Sequence, residues 1–183
     1  MARINQVDHN QATGETRELL DAVKGKYGAV PNLLATVAQA PAVLTGYLGF
    51  SQALTDGVLD AETREAIALT VARINECDYC ESAHAFASTG LNVSADEIAR
   101  RLDGHSSDPR IQAILIFTRA LVEKQGQVSD RDLEELRAIG VTDTELNEII
   151  GNVVTNIFTN YFNHVAKTTS DFPSVTTLLK QAA

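Results

Sequence analysis

Cys77 and Cys80, the only two cysteines in the chain, lie three residues apart in RINECDYCESAHAF, and His84 follows four residues after the second. Three chemistries fit that spacing. The plainest is core packing, because a free cysteine behaves as a small buried apolar side chain. Packing does not, however, require two sulfurs at this interval with an imidazole at the next helical repeat. A metal centre would take Cys77, Cys80 and His84 as ligands, with His105 or Glu65 as a fourth. Structural zinc sites close with two pairs of Cys or His ligands, and the second pair is missing, since His9, His105 and His164 are isolated in the sequence. Dithiol redox chemistry is the third reading: a C-x-x-C pair closes a disulfide with little backbone movement, and a helix N-terminus favours the thiolate.

The elements that must position these groups read as helices. Leu19, Leu20 and Val23 share a face in GETRELLDAVKGKYG, which runs out near Gly25 and Gly28. Pro31 and Pro41 each suit the first turn of a new helix. Asp60 is a candidate N-cap for AETREAIALTVARI, where Ile67, Ala68, Val71 and Ile74 recur at helical spacing. Ser94, Asp108, Ser129 and Asp143 stand where later helices need caps, and no stretch alternates with a period of two. An all-α compact helical bundle follows, read as one domain over residues 1–183 with an extended leader at 1–11. Sliding the second half back by 83 positions sets DTELNE on DAETRE and NYFN on CDYC. A true repeat would make the second half a copy of a helical hairpin without its thiols.

Asn75 and Glu76 interrupt the apolar periodicity before Cys77, and Asp78 and Glu81 are first-turn acids, so a new helix is expected to begin near Cys77. On it, at about 100° per residue, Cys77, Cys80 and His84 fall within about 60° of one another. The helix end contributes only about 0.3–1 kcal/mol, and the nearby acids oppose it. A free thiol with a pKa of about 8.5 is only a few per cent thiolate at neutral pH. A base is required; His84 is one candidate, and a carboxylate that orients it or relays its proton would complete the set.

Composition narrows the setting. With 183 residues, 44% of them hydrophobic, the chain can bury a core without disulfide staples. A net charge of −9 lacks the basic footprint of a nucleic-acid or anionic-membrane binder. The first twenty residues contain no apolar signal region, and no stretch nears the roughly 20 apolar residues of a membrane span. A cytoplasmic location is expected, and there a close cysteine pair points to catalysis or metal binding more than to structure. His164 reads as a packing residue, His105 as exposed in a turn, Tyr79 as a pocket or cover residue, and Asp132, Glu134 and Glu135 as a solvated face.

The stretch EAIALTVARINECDYCESAH resembles the signature of the alkylhydroperoxidase D-like branch of the carboxymuconolactone decarboxylase superfamily: a Glu, twelve residues on a Cys, then C-x-x-C-x-x-x-H. Glu65, Cys77, Cys80 and His84 occupy those positions. VPNLL and AQAPAVLTGYLGFSQAL before the site, and NIFTNYFNHVAKTTSDFP after it, are similar to peroxidase-related members, so the likeness covers most of residues 27–173. The resemblance implies an all-helical fold that assembles as a homo-oligomer, a trimer or hexamer. It also implies reduction of small hydroperoxides, with an external thiol or dithiol as reductant and no metal, flavin or haem. Cys80 would attack peroxide, Cys77 would resolve the sulfenic acid to a disulfide, and His84 with Glu65 would relay the proton. The alternatives are a thiol-disulfide oxidoreductase serving a protein partner and a non-catalytic helical oligomer. Some members carry a second His between the cysteines, where this chain has Tyr79. The Cys pair argues against lactone decarboxylation, since members named for it typically lack the pair. On one straight helix Glu65 and Cys77 would lie about 18 Å apart, so this reading requires the chain to reverse near Asn75 and Glu76.

Overall fold

A computed structural model describes residues 2–181. They form ten helices and no strand: α1 (Gly14–Tyr27), α2 (Asn32–Val37), α3 (Pro41–Thr55), α4 (Ala61–Ile74), α5 (Asp78–Gly90), α6 (Ala95–Leu102), α7 (Pro109–Glu123), α8 (Asp130–Ala138), α9 (Asp143–Ala166) and α10 (Val175–Gln181). Among them no helix is long and apolar enough to cross a membrane.

Local chemistry sets the boundaries. Asp60 accepts from the Thr63 amide at 2.8 Å to start α4, while Ser94 and Asp108 cap α6 and α7 in the same way. Gly28, at φ 78°, ends α1 in the left-handed region. Two caps differ from the sequence expectation by one position. Pro31 is the N-cap of α2 instead of lying inside its first turn. Thr142, not Asp143, caps α9, because its hydroxyl accepts from the Glu145 amide and Glu145 reaches back to the Thr142 amide in a capping box. Asp132 on the solvated face also pairs with Lys124 at 2.7 Å and accepts from the Ser129 amide at 2.7 Å, and these partners hold its pKa at about 2.

α4 is the central element, apolar almost all round and packed against α5, α6, α7 and α9. Ala66, Ile67, Leu69, Val71 and Ala72 are fully buried. One layer of the core joins α4 to α7, α8 and α9 through Ile67, Val71, Ile114, Phe117, Leu136, Ile149 and Val153. A second joins it to α5, α6 and α10 through Leu69, Ala85, Ile98 and Leu178. The third gathers Leu20, Val23, Leu33, Val37 and Leu44 from α1–α3 around Cys77, Tyr79 and Cys80. The suspected repeat does not survive: DTELNE and NYFN lie on one unbroken helix, α9, whereas their counterparts are split between α4 and the start of α5 by a reversal.

Candidate active site

The reversal is a complete Schellman motif. The Cys77 amide donates to the Ala72 carbonyl at 2.9 Å and the Glu76 amide to that of Arg73 at 3.1 Å, with Glu76 left-handed at φ 55°. Glycine is usual at that position, and a side chain there costs about 1–2 kcal/mol. The next residue, Cys77, is thereby made the N-cap of α5: its Sγ accepts from the Cys80 amide at 3.3 Å. Cys77 and Cys80 are joined as a disulfide, with Cα atoms 5.3 Å apart. Both are almost wholly buried, 2% and 3% exposed.

The same reversal brings Glu65 on α4 level with His84 on α5. Glu65 Oε2 lies 2.8 Å from His84 Nδ1, with a quarter or less of each side chain exposed. Burial alone would lower the His84 pKa; the Glu65 charge, its hydrogen bond and nearby Asn156 outweigh that and raise it above the ordinary value. Solvent therefore reaches the acid–imidazole pair but hardly reaches the sulfurs. A cleft of about 350 Å³ lined by Asp78, Glu81, Ser82 and Phe172 opens elsewhere on α5, without either cysteine in its wall.

Tyr79 points its hydroxyl away from this chemistry. It donates to Asp171 Oδ2 at 2.7 Å and accepts from the Leu33 amide at 3.4 Å, and its ring meets Phe172 edge-on. Burial first, then Asp171, raise its pKa. Its role here is to tie the segment after α9 to α2 and α5. His164 Nε2 lies 2.6 Å from the Asn75 carbonyl, clamping α9 to the reversal, while His105 is exposed in the loop after α6. Among the described residues no group of three or more His, Cys, Asp or Glu side chains is arranged to hold a metal ion.

Sequence reasoning missed the third wall. Asn156, Asn160 and Asn163 lie on the inward face of α9, at most 9% exposed. Asn156 stands near enough to His84 to help raise its pKa, Asn160 accepts from Asn75 Nδ2 at 2.9 Å, and Asn163 Nδ2 lies 3.3 Å from Cys80 Sγ and 3.9 Å from Cys77 Sγ. The signal available was four amides at helical spacing along α9, Asn152, Asn156, Asn160 and Asn163.

Residues 41–121 match the Carboxymuconolactone decarboxylase family. An uncharacterized protein of Haemophilus influenzae is 50% identical over 48 residues, 26% of this chain and 42% of its own length, so the chain matches under half of that relative. The crystal structure of an AhpD-core, uncharacterized peroxidase-related protein from Ralstonia eutropha JMP134 superposes with a TM-score of 0.83 at 23% identity, covering 93% of this chain and 92% of that one. The debrominase Bmp8 superposes with a TM-score of 0.81 at 17% identity over 99% and 98% of the two chains. At these identities the likeness is one of fold.

Proposed function

We propose, from the match of residues 41–121 to the Carboxymuconolactone decarboxylase family and from the site geometry, that the chain is a thiol-dependent peroxidase that reduces small organic hydroperoxides. The observation that carries the reading is the Glu65–His84 pair, hydrogen-bonded at 2.8 Å between α4 and α5, beside a closed Cys77–Cys80 disulfide at the start of α5. Fold alone would not carry it, since a debrominase shares the fold.

In the reduced protein, His84, oriented by Glu65, takes the Cys80 proton. The thiolate attacks the terminal, hydrogen-bearing oxygen of the hydroperoxide; the S–O bond forms as the O–O bond breaks, and the departing alkoxide recovers the proton as an alcohol. Cys80 is now a sulfenic acid. Cys77 sulfur attacks it and water leaves, which gives the disulfide. An external thiol or dithiol supplies the two electrons that reopen it. Cys77 suits the resolving role because its sulfur, as the N-cap, already accepts the Cys80 amide. The deep burial of both sulfurs weighs against direct attack by a folded protein partner, since a small hydroperoxide needs only a narrow opening.

The protein is also proposed to work as a homo-oligomer. On α9, Ile150, Val154, Tyr161 and Val165 are 38–61% exposed and fall within about 60° of one another, on the side away from the asparagines. Val43 and Phe50 of neighbouring α3 add to that apolar surface. Light scattering tests this: Val154→Glu with Tyr161→Glu should give a smaller species than the unmodified protein. The function itself is tested by consumption of cumene hydroperoxide with dithiothreitol as reductant. Cys80→Ser should abolish turnover and Cys77→Ser should accumulate a trappable sulfenic acid; turnover that survives Cys80→Ser defeats the assignment.

A further inference from the structure

We infer that Asn163 is a catalytic residue of this site, donating its side-chain N–H to the Cys80 thiolate and offering its carbonyl oxygen to the O–H of the incoming hydroperoxide. The inference rests on the peroxidase reading only for its second half.

The carboxamide is 5% exposed, and its Nδ2 faces Cys80 Sγ at 3.3 Å and Cys77 Sγ at 3.9 Å. No other described side chain donates to the Cys80 sulfur; the Cys80 amide is spent on Cys77. Sulfur in a disulfide is a weak acceptor, whereas a thiolate is a charged one, so the same N–H bonds more strongly once the pair is reduced and Cys80 ionised. The bond thus favours the reactive state over the resting one. His84 removes the proton, and Asn163 holds the charge that remains.

The other half of the amide is not used by the fold. Asn163 Oδ1 is buried with no hydrogen-bond partner, a cost that a leucine packed on this face would not carry. Neighbouring Asn160, fully buried on the same face, spends its carbonyl oxygen on Asn75 Nδ2 and leaves its own Nδ2 without a partner, so what singles out Asn163 is that its other end faces the Cys80 sulfur. Oδ1 belongs to the same planar group as Nδ2, the atom that faces the sulfur that reacts. When the thiolate attacks, the oxygen it bonds to carries a hydrogen, and Oδ1 is the acceptor placed to hold it. After the O–O bond breaks, that hydrogen remains on the Cys80 sulfenic acid, while the alkoxide takes its proton from His84.

The test separates thiolate stabilisation from peroxide chemistry. In a Cys77→Ser background, the pH dependence of Cys80 alkylation by iodoacetamide is measured with Asn163, Asn163→Asp and Asn163→Leu. The profile should move to higher pH by about one unit in both variants, slowing alkylation at neutral pH by about tenfold. A folded variant with an unmoved profile overturns the donor role. Should both variants fail to fold, the unmodified protein decides: its Asn163 side-chain amide proton resonance should move downfield on reduction by dithiothreitol, and a resonance that stays put overturns the proposal. Cumene hydroperoxide turnover should fall in Asn163→Leu by more than alkylation does, because iodoacetamide has no O–H to hold; equal losses overturn the role of the oxygen. If the unmodified protein consumes no peroxide while the alkylation shift is present, the peroxidase reading fails and the donor role stands.

Discussion

Replacing Glu65 with Gln keeps the shape of the acid and removes its charge. The Glu65–His84 contact, 2.8 Å long between side chains that are 23% and 25% exposed, is a charge-assisted hydrogen bond in partly dry surroundings. Such bonds contribute about 1.5–3 kcal/mol, against about 0.5–1.5 kcal/mol for a neutral one. The substitution should therefore remove about 1–2 kcal/mol from the protonated His84 that forms as Cys80 ionises. At 1.36 kcal/mol per decade that is about a five- to thirtyfold fall in kcat/KM, milder than the hundredfold or greater loss expected for His84→Ala. The pH profile carries the sign. Burial alone lowers the His84 pKa, while the Glu65 charge and hydrogen bond, with Asn156, raise it. His84 must be neutral to act as the base, so activity rises with pH through its pKa. Withdrawing Glu65 moves that acidic limb to lower pH even as the plateau falls. The assay is steady-state peroxide consumption from acid to alkaline pH. An unchanged plateau with an unmoved limb refutes the relay, and so does a limb that moves to higher pH. Stability changes in step: the raised pKa stabilises the folded state below the ordinary value of 6.5, and that contribution is lost as pH rises through the folded value. Calorimetry across that range should show the dependence weakened in Glu65→Gln.

Opening the disulfide frees a four-residue loop, which in the chain-entropy account lowers stability by about 2 kcal/mol; thermal melts with and without dithiothreitol should differ by about 4–8 °C. Tyr79→Phe removes the bonds to Asp171 and the Leu33 amide, and should increase hydrogen exchange around residues 168–174 while leaving the acidic limb of the rate profile in place. A moved limb would bring Tyr79 into the proton path. Burial pushes Glu97 up, but Ser106, Ser107 and Arg101 outweigh it and hold it at about 2. That stabilisation is present above the ordinary value of 4.5 and is lost as pH falls through about 2. Glu97→Ala strands Arg101, 2% exposed, with Glu62 as its remaining carboxylate, and should cost about 3 kcal/mol in chemical denaturation.

What could be read from the residues was whatever short-range spacing determines. The break at Asn75–Glu76, the helix start at Cys77 and the caps at Asp60, Ser94, Asp108 and Ser129 all follow from patterns within a few positions. Thr142 was passed over for Asp143 because adjacent candidates compete and only Glu145, reaching back, decides between them. The direction of the Tyr79 hydroxyl depends on Asp171, 92 residues away, and no local pattern encodes it. The asparagine wall was hidden for a similar reason. An amide on an apolar helix says that something polar faces it, but the identity of that partner, here sulfur, imidazole and the reversal, is fixed only when α9 docks on α4 and α5. The apparent repeat misled because cap-like and amide-rich strings recur cheaply among helices, whereas the reversal that matters needs the left-handed residue at Glu76.

Sulfurs only 2–3% exposed have a kinetic corollary. If the proposed cycle operates, a reductant in bulk solvent would rarely meet the closed bridge unless the α1–α3 side of the core opens, so regeneration would be a gated event. Raising the thiol concentration should first speed turnover and then cease to matter, at a ceiling equal to the frequency with which the cover lifts. That ceiling would be common to chemically different reductants small enough to enter, and it would rise with temperature or mild denaturant before any global unfolding. For the proposed peroxidase, the same seal would keep bulky thiols from draining the oxidised form between substrate encounters.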